Sequence, residues 1–510
     1  MLSAQGRLDD ALTAYRASLA IAERLAQADP SNAGWQRDLS VSQEKVGDVL
    51  SAQGRLDDAL TAYRASLASR ERLAQADPSN AGWQRDLSVS HIKVGDVLAA
   101  QGRLDDALTA YRASLGIAER LAQADPSNAG WQRDLSVSQG NVGDVLAAQG
   151  RLDDALNAYR ASLAIFEWLA QADPSNAGWQ RDLSVSQDNV GDVLAAQGRL
   201  DDALTAYRAS LAIAEWLAQA DPSNAGWQRD LSVSHNKVGD VLSAQGRLDD
   251  ALTAYRASLA IAERLAQADP SNAGWQRDLS VSHNKIGDVL SAQGRLDDAL
   301  TAYRASLAIF EWLAQADPSN AGWQRDLSVS HNKIGDVLSA QGRLDDALTA
   351  YRASLAIFEW LAQADPSNAG WQRDLSVSHN KVGDVLSAQG RLDDALTAYR
   401  ASLGIRERLA QADPSNAGWQ RDLSVSHNKV GDVLSAQGRL DDALTAYRAS
   451  LAIAEWLAQA DPSNAGWQQD LARITERLRA AAEAMSATKS GWWSRLWRKN
   501  GKGGKGASAG

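Results

Sequence analysis

Residues 83–130 read WQRDLSVSHIKVGDVLAAQGRLDDALTAYRASLGIAERLAQADPSNAG, and this stretch decides the fold. Its first part, about Trp83 to Ala100, places Leu87, Val94, Val97 and Leu98 at helical spacings. Ser79 and Asn80 precede it, good N-cap types after the breaking Pro78. Gln101-Gly102 closes it, with Gly102 suited to a left-handed C-terminal position. The second part, about Leu104 to Ala124, carries an apolar stripe of Leu104, Ala107, Leu108, Tyr111, Leu115, Ile117, Ala118 and Leu121. Asp105 and Asp106 lie in its first turn, where carboxylates favour the positive end of the helix dipole. Asp125-Pro126 stops it, because proline cannot continue the hydrogen-bond ladder. Ala and Leu dominate both parts, and no segment alternates with period two. The expectation is a helical pair.

Working outward, the pair recurs. GRLDDAL begins at Gly6, Gly54, Gly102, Gly150, Gly198, Gly246, Gly294, Gly342, Gly390 and Gly438, always 48 residues on. The ten Pro and ten Tyr of the 510-residue chain each occur once per unit. A fixed period of this size marks a solenoid rather than a chain of separate globular domains. One helix pair cannot bury both its faces, so neighbouring pairs must stack.

Residues 94–114 resemble the tetratricopeptide repeat. Val94-Gly95 stand for its Leu-Gly, Leu98 for its first aromatic, and Tyr111 for its Phe; Gly102, Ala107 and the small Ser114 fall in place. His91 sits where that family often has Trp. The familiar unit has about 34 residues, so this one is longer by about four helical turns. It is similar to the extended repeats of kinesin light chains and to arrays in bacterial signalling proteins. The resemblance implies a right-handed all-α solenoid of about ten helix-turn-helix repeats, cytoplasmic and without enzymatic activity.

On this reading residues 1–34 are a partial first repeat holding its second helix only, residues 35–466 are nine full repeats, and residues 467–487 are a capping helix. Residues 488–510 are a basic, Trp-containing tail, read as disordered. The opening stub Met1–Gly6 fits a piece of a longer protein, a misplaced start or a tolerated open edge; the first is the reading adopted.

Composition narrows the chemistry. The chain has no Cys, so thiolate metal sites and cysteine nucleophiles are excluded. A net charge of −11 argues against a nucleic-acid binder. The tail carries six Lys and Arg and no acid, leaving −17 on the rest. The six His (His91, His235, His283, His331, His379 and His427) stand one per repeat. Two helix layers of about 10 Å separate successive copies, too far to share an ion. Adjacent carboxylates such as Asp105 and Asp106 point about 100° apart and do not face one pocket. No catalytic, cofactor or metal site is expected.

Positions that vary among near-identical units are the informative ones. The residue after His91 is Glu44, Ile92, Gly140, Asp188, then Asn236, Asn284, Asn332, Asn380 and Asn428. Four residues on, and so on the same face, comes an invariant acid: Asp48, Asp96, Asp144, Asp192, Asp240, Asp288, Asp336, Asp384 and Asp432. The resemblance implies that both rows face the concave groove. Asn236, Asp240, Asn284, Asp288, Asn332, Asp336, Asn380, Asp384, Asn428 and Asp432 are therefore expected to bind a protein or peptide partner of basic character. The chain's own tail is one candidate for that partner. A second variable site replaces Ala22-Glu23-Arg24 with Phe166-Glu167-Trp168, Phe310-Glu311-Trp312 and Phe358-Glu359-Trp360, either a contact surface or a gap filler. In the tail, Trp492, Trp493 and Trp497 with Arg495, Arg498 and Lys499 suit a membrane headgroup interface or a partner; ten residues cannot span a bilayer. The alternative role is a regulatory arm of a larger signalling protein, held at the membrane surface by this tail.

Overall fold

The computed structural model describes residues 7–487 in full and the helical backbone onward to Asn500. Among the described residues every regular element is an α-helix, twenty in all. The first nineteen alternate between 21-residue B helices and 20-residue A helices, such as α5 (Leu104–Ala124) and α4 (Ala81–Ala100). The chain comprises two compact units, Met1–Ile261 and Ala262–Gly510, divided within α11 (Leu248–Ala268). In each unit consecutive helices pack in chain order, so each is a stack of helix hairpins, an α-solenoid.

Local chemistry sets each boundary. The Asn80 side chain accepts a hydrogen bond from the Trp83 backbone N–H at 3.1 Å, so α4 begins at Ala81, two residues before the expected Trp83. Asp77 accepts from both the backbone N–H and the hydroxyl of Ser79 (3.0 and 2.6 Å), which holds the Pro78 turn. At the other end the Arg103 N–H reaches back to the Leu98 carbonyl at 2.9 Å around Gly102, whose φ is +74°. That is a Schellman closure, and only glycine takes this φ without strain. The expected limits of α5 agree with the structure.

The core of each hairpin is Val94, Val97 and Leu98 from the A helix against Ala107, Leu108 and Tyr111 from the B helix, all buried. Serines line the tightest contacts. The Ser114 hydroxyl meets that of Ser88 at 2.7 Å and that of Ser138 in the next repeat at 3.2 Å, so these buried polar atoms are satisfied.

The last helix, α20, runs Ala465–Asn500, past the expected end of the cap at residue 487. The tail residues Trp492, Trp493, Arg495, Trp497, Arg498 and Lys499 lie outside the residues whose side chains are described. None of the helices among the described residues is long and apolar enough to cross a membrane.

Candidate functional site

Most invariant polar residues tie one repeat to the next. Gln101 donates to Asp57 at 2.8 Å, and Gln149 to Asp105 and Gln341 to Asp297 at the same distance. Arg133 pairs with Asp182 at 2.7 Å and Arg373 with Asp422 at 2.7 Å. Within a repeat, the first-turn Asp106 is bonded by Arg103 at 2.6 Å, three residues before it. These exposed ion pairs are each worth well under about 1 kcal/mol. The pairs that cross from one repeat to the next fix the register between them.

The invariant Asp row belongs to this system as well. Tyr303 donates its phenolic O–H to Asp288 at 2.5 Å, and Lys333 of the following repeat reaches the same carboxylate at 2.6 Å. Asp336 receives Tyr351 and Lys381, both at 2.5 Å; Asp384 receives Tyr399 at 2.5 Å and Lys429 at 2.6 Å. At the cap, Arg477 takes over from lysine and reaches Asp432 at 3.3 Å. Each lysine ammonium also lies over the tyrosine ring, 5.7 to 5.9 Å from its centre in these three cases. Much of the row's charge is therefore balanced within the chain, and the face is less acidic than its sequence. Asp240 is bonded by its own Tyr255 at 2.5 Å.

The Asn row differs. Asn284, Asn332, Asn380 and Asn428 lie on the A helices α12 (Ala273–Ala292), α14 (Ala321–Ala340), α16 (Ala369–Ala388) and α18 (Ala417–Ala436). Their Oδ1 atoms are buried and accept no hydrogen bond within the described chain, as is true of Asn236 on α10 (Ala225–Ala244).

The two variable sites read separately in the sequence meet in the structure. Glu44 on α2 (Ala33–Ala52) contacts Arg70 on α3 (Leu56–Ala76) as an ion pair of 2.6 Å, with side chains only 13% and 5% exposed. At the same 26-residue offset the sequence has Ile92 with Ala118 and Gly140 with Phe166, but also Asn284 with Phe310 and Asn332 with Phe358. Sequence reasoning missed the Glu44–Arg70 pair, although its opposite charges stand 26 residues apart in the only repeat with Glu at the first position. Phe166, Phe310 and Phe358 are buried and fill gaps; Trp168, Trp216, Trp312, Trp360 and Trp456 stay 42 to 44% exposed.

Where both partners are small, space remains. Asn428 and Ala454 line a cavity of about 260 Å³ with Leu457, Trp467 and Ile474. Phe occupies the Ala454 position at Phe310 and Phe358, each 2% exposed. Ala454→Phe is accordingly expected to stabilise the region by about 1–2 kcal/mol. Slower amide exchange across α19 (Leu440–Ala460) and the start of α20 would register it.

Asp188 supplies a pH-dependent counterpart. Burial pushes its carboxyl up to about 6, against hydrogen bonding from Ser210 and the opposing charge of Lys237, while Asp192 and Asp230 add to the rise. A carboxyl raised in the folded state binds protons more readily there than when unfolded. Its contribution therefore becomes less favourable as pH climbs from about 4 through 6, and the penalty is complete above that. Asp188→Asn is expected to match wild-type stability near pH 4 and exceed it near pH 7.5 by on the order of 2 kcal/mol. Urea unfolding at the two pH values measures this. The six His behave oppositely: burial lowers the pKa of each, from His91 to His427. They favour the fold above the ordinary imidazole range and oppose it as pH falls below it.

Comparison with known proteins places this architecture. Tetratricopeptide repeat profiles match residues 86–167, and separately residues 1–31, 41–79, 184–217, 234–271 and 378–415, together about half of the chain. No curated protein matches. Similar solved structures include BtubC (BKLC) from P. vanneervenii, with 19% identity over 52% of this chain and 92% of that one and a TM-score of 0.41. Apo RapI is similar at 14% identity over 79% and 98%, with a TM-score of 0.49. A signal transduction ATPase with numerous domains and a tetratricopeptide repeat sensor, from Pyrococcus horikoshii, is similar at 10% identity over 79% and 53%, with a TM-score of 0.46. The repeat signature, the helix hairpins and the matches along the chain agree: this protein belongs to the tetratricopeptide repeat family, whose all-helical fold serves protein interaction and regulation.

Proposed function

We propose that the chain is a binding module that holds a peptide or disordered protein segment along the face formed by its A helices. The observation that carries this reading is the Asn row of the second unit. Asn284, Asn332, Asn380 and Asn428 recur at 48-residue intervals with amide oxygens that no group of the described chain satisfies. An unpaired buried acceptor costs about 1–3 kcal/mol, and four in register are an expensive feature to keep without a use. Turning outward, an amide both donates to and accepts from an extended peptide backbone, which gives affinity without demanding one sequence. The lysine-bridged Asp288, Asp336 and Asp384 lie four residues on from the Asn row, on the same helix face.

The test starts from a partner captured by the full chain. The triple variant Asn284→Ala, Asn332→Ala, Asn380→Ala is expected to weaken that partner at least about tenfold. Trp312→Ala with Trp360→Ala on the B helices should leave it unchanged. The reverse pattern would move the partner to the exposed Trp residues and defeat the proposal.

A further inference from the structure

In the first unit the lysine bridge is made at some steps and missing at two. Lys93 reaches Asp48 at 3.0 Å and lies 5.9 Å from the centre of the Tyr63 ring. Lys237 reaches Asp192 at 2.6 Å and lies 5.3 Å from the Tyr207 ring. Between them, on α6 (Ala129–Ala148) and α8 (Ala177–Ala196), the lysine position holds Asn141 and Asn189. The other two members of each site are unchanged. Tyr111 donates to Asp96 at 2.7 Å, and Tyr159 to Asp144 at 2.5 Å. Neither carboxylate makes an ion pair among the described residues, and both residues are exposed.

Charge responds as expected. Burial pushes Asp48 up, but Lys93, Lys45 and Tyr63 together bring it below the ordinary carboxylate range. Asp96 and Asp144 are open to solvent on one side, but loss of water on the other outweighs the tyrosine hydrogen bond and both are raised; the charge of Lys93 opposes the rise at Asp96, and that of Asp96 adds to it at Asp144. Approach is open on this side, since a Cβ added at Gly140 would meet nothing within 4 Å.

We propose that Tyr111–Asp96 and Tyr159–Asp144 form a two-point receptor for cationic side chains of a bound segment, two lysines or arginines lying two to four residues apart. The sister sites of the same chain show what such a pair holds: an ammonium bonded to the carboxylate and set over the ring. The A helices of successive repeats are neighbours, without the two intervening layers expected from the sequence, since Lys93 on α4 reaches Asp48 on α2; the two sites therefore lie on the order of 10 Å apart, which an extended segment covers in about three residues. The inference rests on the A-helix face being the binding face, and adds to it where basic side chains are read.

The test uses the full chain and a fluorescein-labelled peptide with two lysines separated by two glycines, read by anisotropy at low ionic strength. Asn141→Lys with Asn189→Lys supplies from within the chain the ammonium that the sister sites already have, so folding is preserved while the receptor is filled. This double variant is expected to lose at least about tenfold in affinity, as is Asp96→Asn with Asp144→Asn. Gln171→Lys with Gln219→Lys adds the same charge at exposed B-helix positions and should change affinity less than about twofold. The inference is overturned if wild type does not bind the peptide, if the filled receptor binds it as well as wild type, or if the control pair loses as much. A captured partner that needs the Asn row but ignores Asn141→Lys and Asn189→Lys would overturn this inference and leave the groove standing. One with the opposite dependence would remove the Asn row from recognition and keep the receptor.

Discussion

Glu44→Ala is expected to destabilise the first full hairpin of the array by about 3–5 kcal/mol, the cost of stranding a buried charge whose partner has been removed. Arg70, 5% exposed, is the charge left behind. Its remaining contacts are neutral: Ser40 at 3.3 Å, the Asp86 carbonyl at 3.0 Å and Ser90 at 2.9 Å. The second unit contains the natural comparison. Arg406 is equally buried and faces no carboxylate at the matching position, which holds Asn380. It relies on Ser376 at 3.0 Å, the Asp422 carbonyl at 2.7 Å and Ser426 at 3.2 Å, and burial pulls its pKa below the usual guanidinium value. Neutral acceptors therefore hold a guanidinium here, but not without cost. The next repeat shows how to remove the cost, because it has Ile92 and Ala118 at the two matching positions. Glu44→Ile with Arg70→Ala is expected to return within about 1 kcal/mol of wild type, since well-packed apolar replacements of buried ion pairs are often neutral or better. Amide exchange along α2 and α3 reads both variants locally, which matters because a repeat array need not unfold in one step. If Glu44→Ala alone costs under about 1 kcal/mol, water or a rearranged Arg70 satisfies the charge and the coupling argument fails.

The same pair shows what could be read from the sequence. Helix limits, turns and the repeat were legible because each depends on local chemistry: Asn80 as cap, Gly102 as left-handed closure, Pro78 as a stop. The Asp row was read as an acidic lining of the groove for a basic partner. That reading considered only the carboxylates. Lys333 lies 45 residues from Asp288, and no local pattern announces that a lysine on the next helix ends on it. Comparing the rows with one another would have helped, because the only full repeats lacking lysine carry Asn141 and Asn189. Variable helix B was similarly treated as one site, whereas Phe310 is buried and Trp312 two residues on is exposed. Residues two apart on a helix point to different sides, so the two aromatics had to be judged separately.

Gly335→Ala and Gly404→Ala are chemically the same substitution and are expected to have opposite signs. A Cβ on Gly335 would stand 2.6 Å from Cε1 and 2.8 Å from Cδ1 of Tyr351. The ring cannot retreat easily. It is 3% exposed, its hydroxyl is held by Asp336 at 2.5 Å, and the Lys381 ammonium lies 5.7 Å from its centre. Relief must come from parting α14 and α15 (Leu344–Ala364), and overpacking of this kind costs about 1–3 kcal/mol. Alanine gains back up to about 1 kcal/mol of helix propensity. The net loss should therefore approach about 2 kcal/mol, and it should release Asp336 from Tyr351. Gly404 lies in α17 (Leu392–Ala412), where an added Cβ meets nothing within 4 Å. Most sister repeats already have alanine there, as at Ala308 and Ala356. Only the propensity gain applies, so Gly404→Ala should stabilise by about 0.5–1 kcal/mol. Urea midpoints for the two variants, with amide exchange in α14 and α17, separate the effects. Equal gains in both would mean that the tyrosine ring yields, and that the glycine in each V-G or I-G pair does not set the distance between helices.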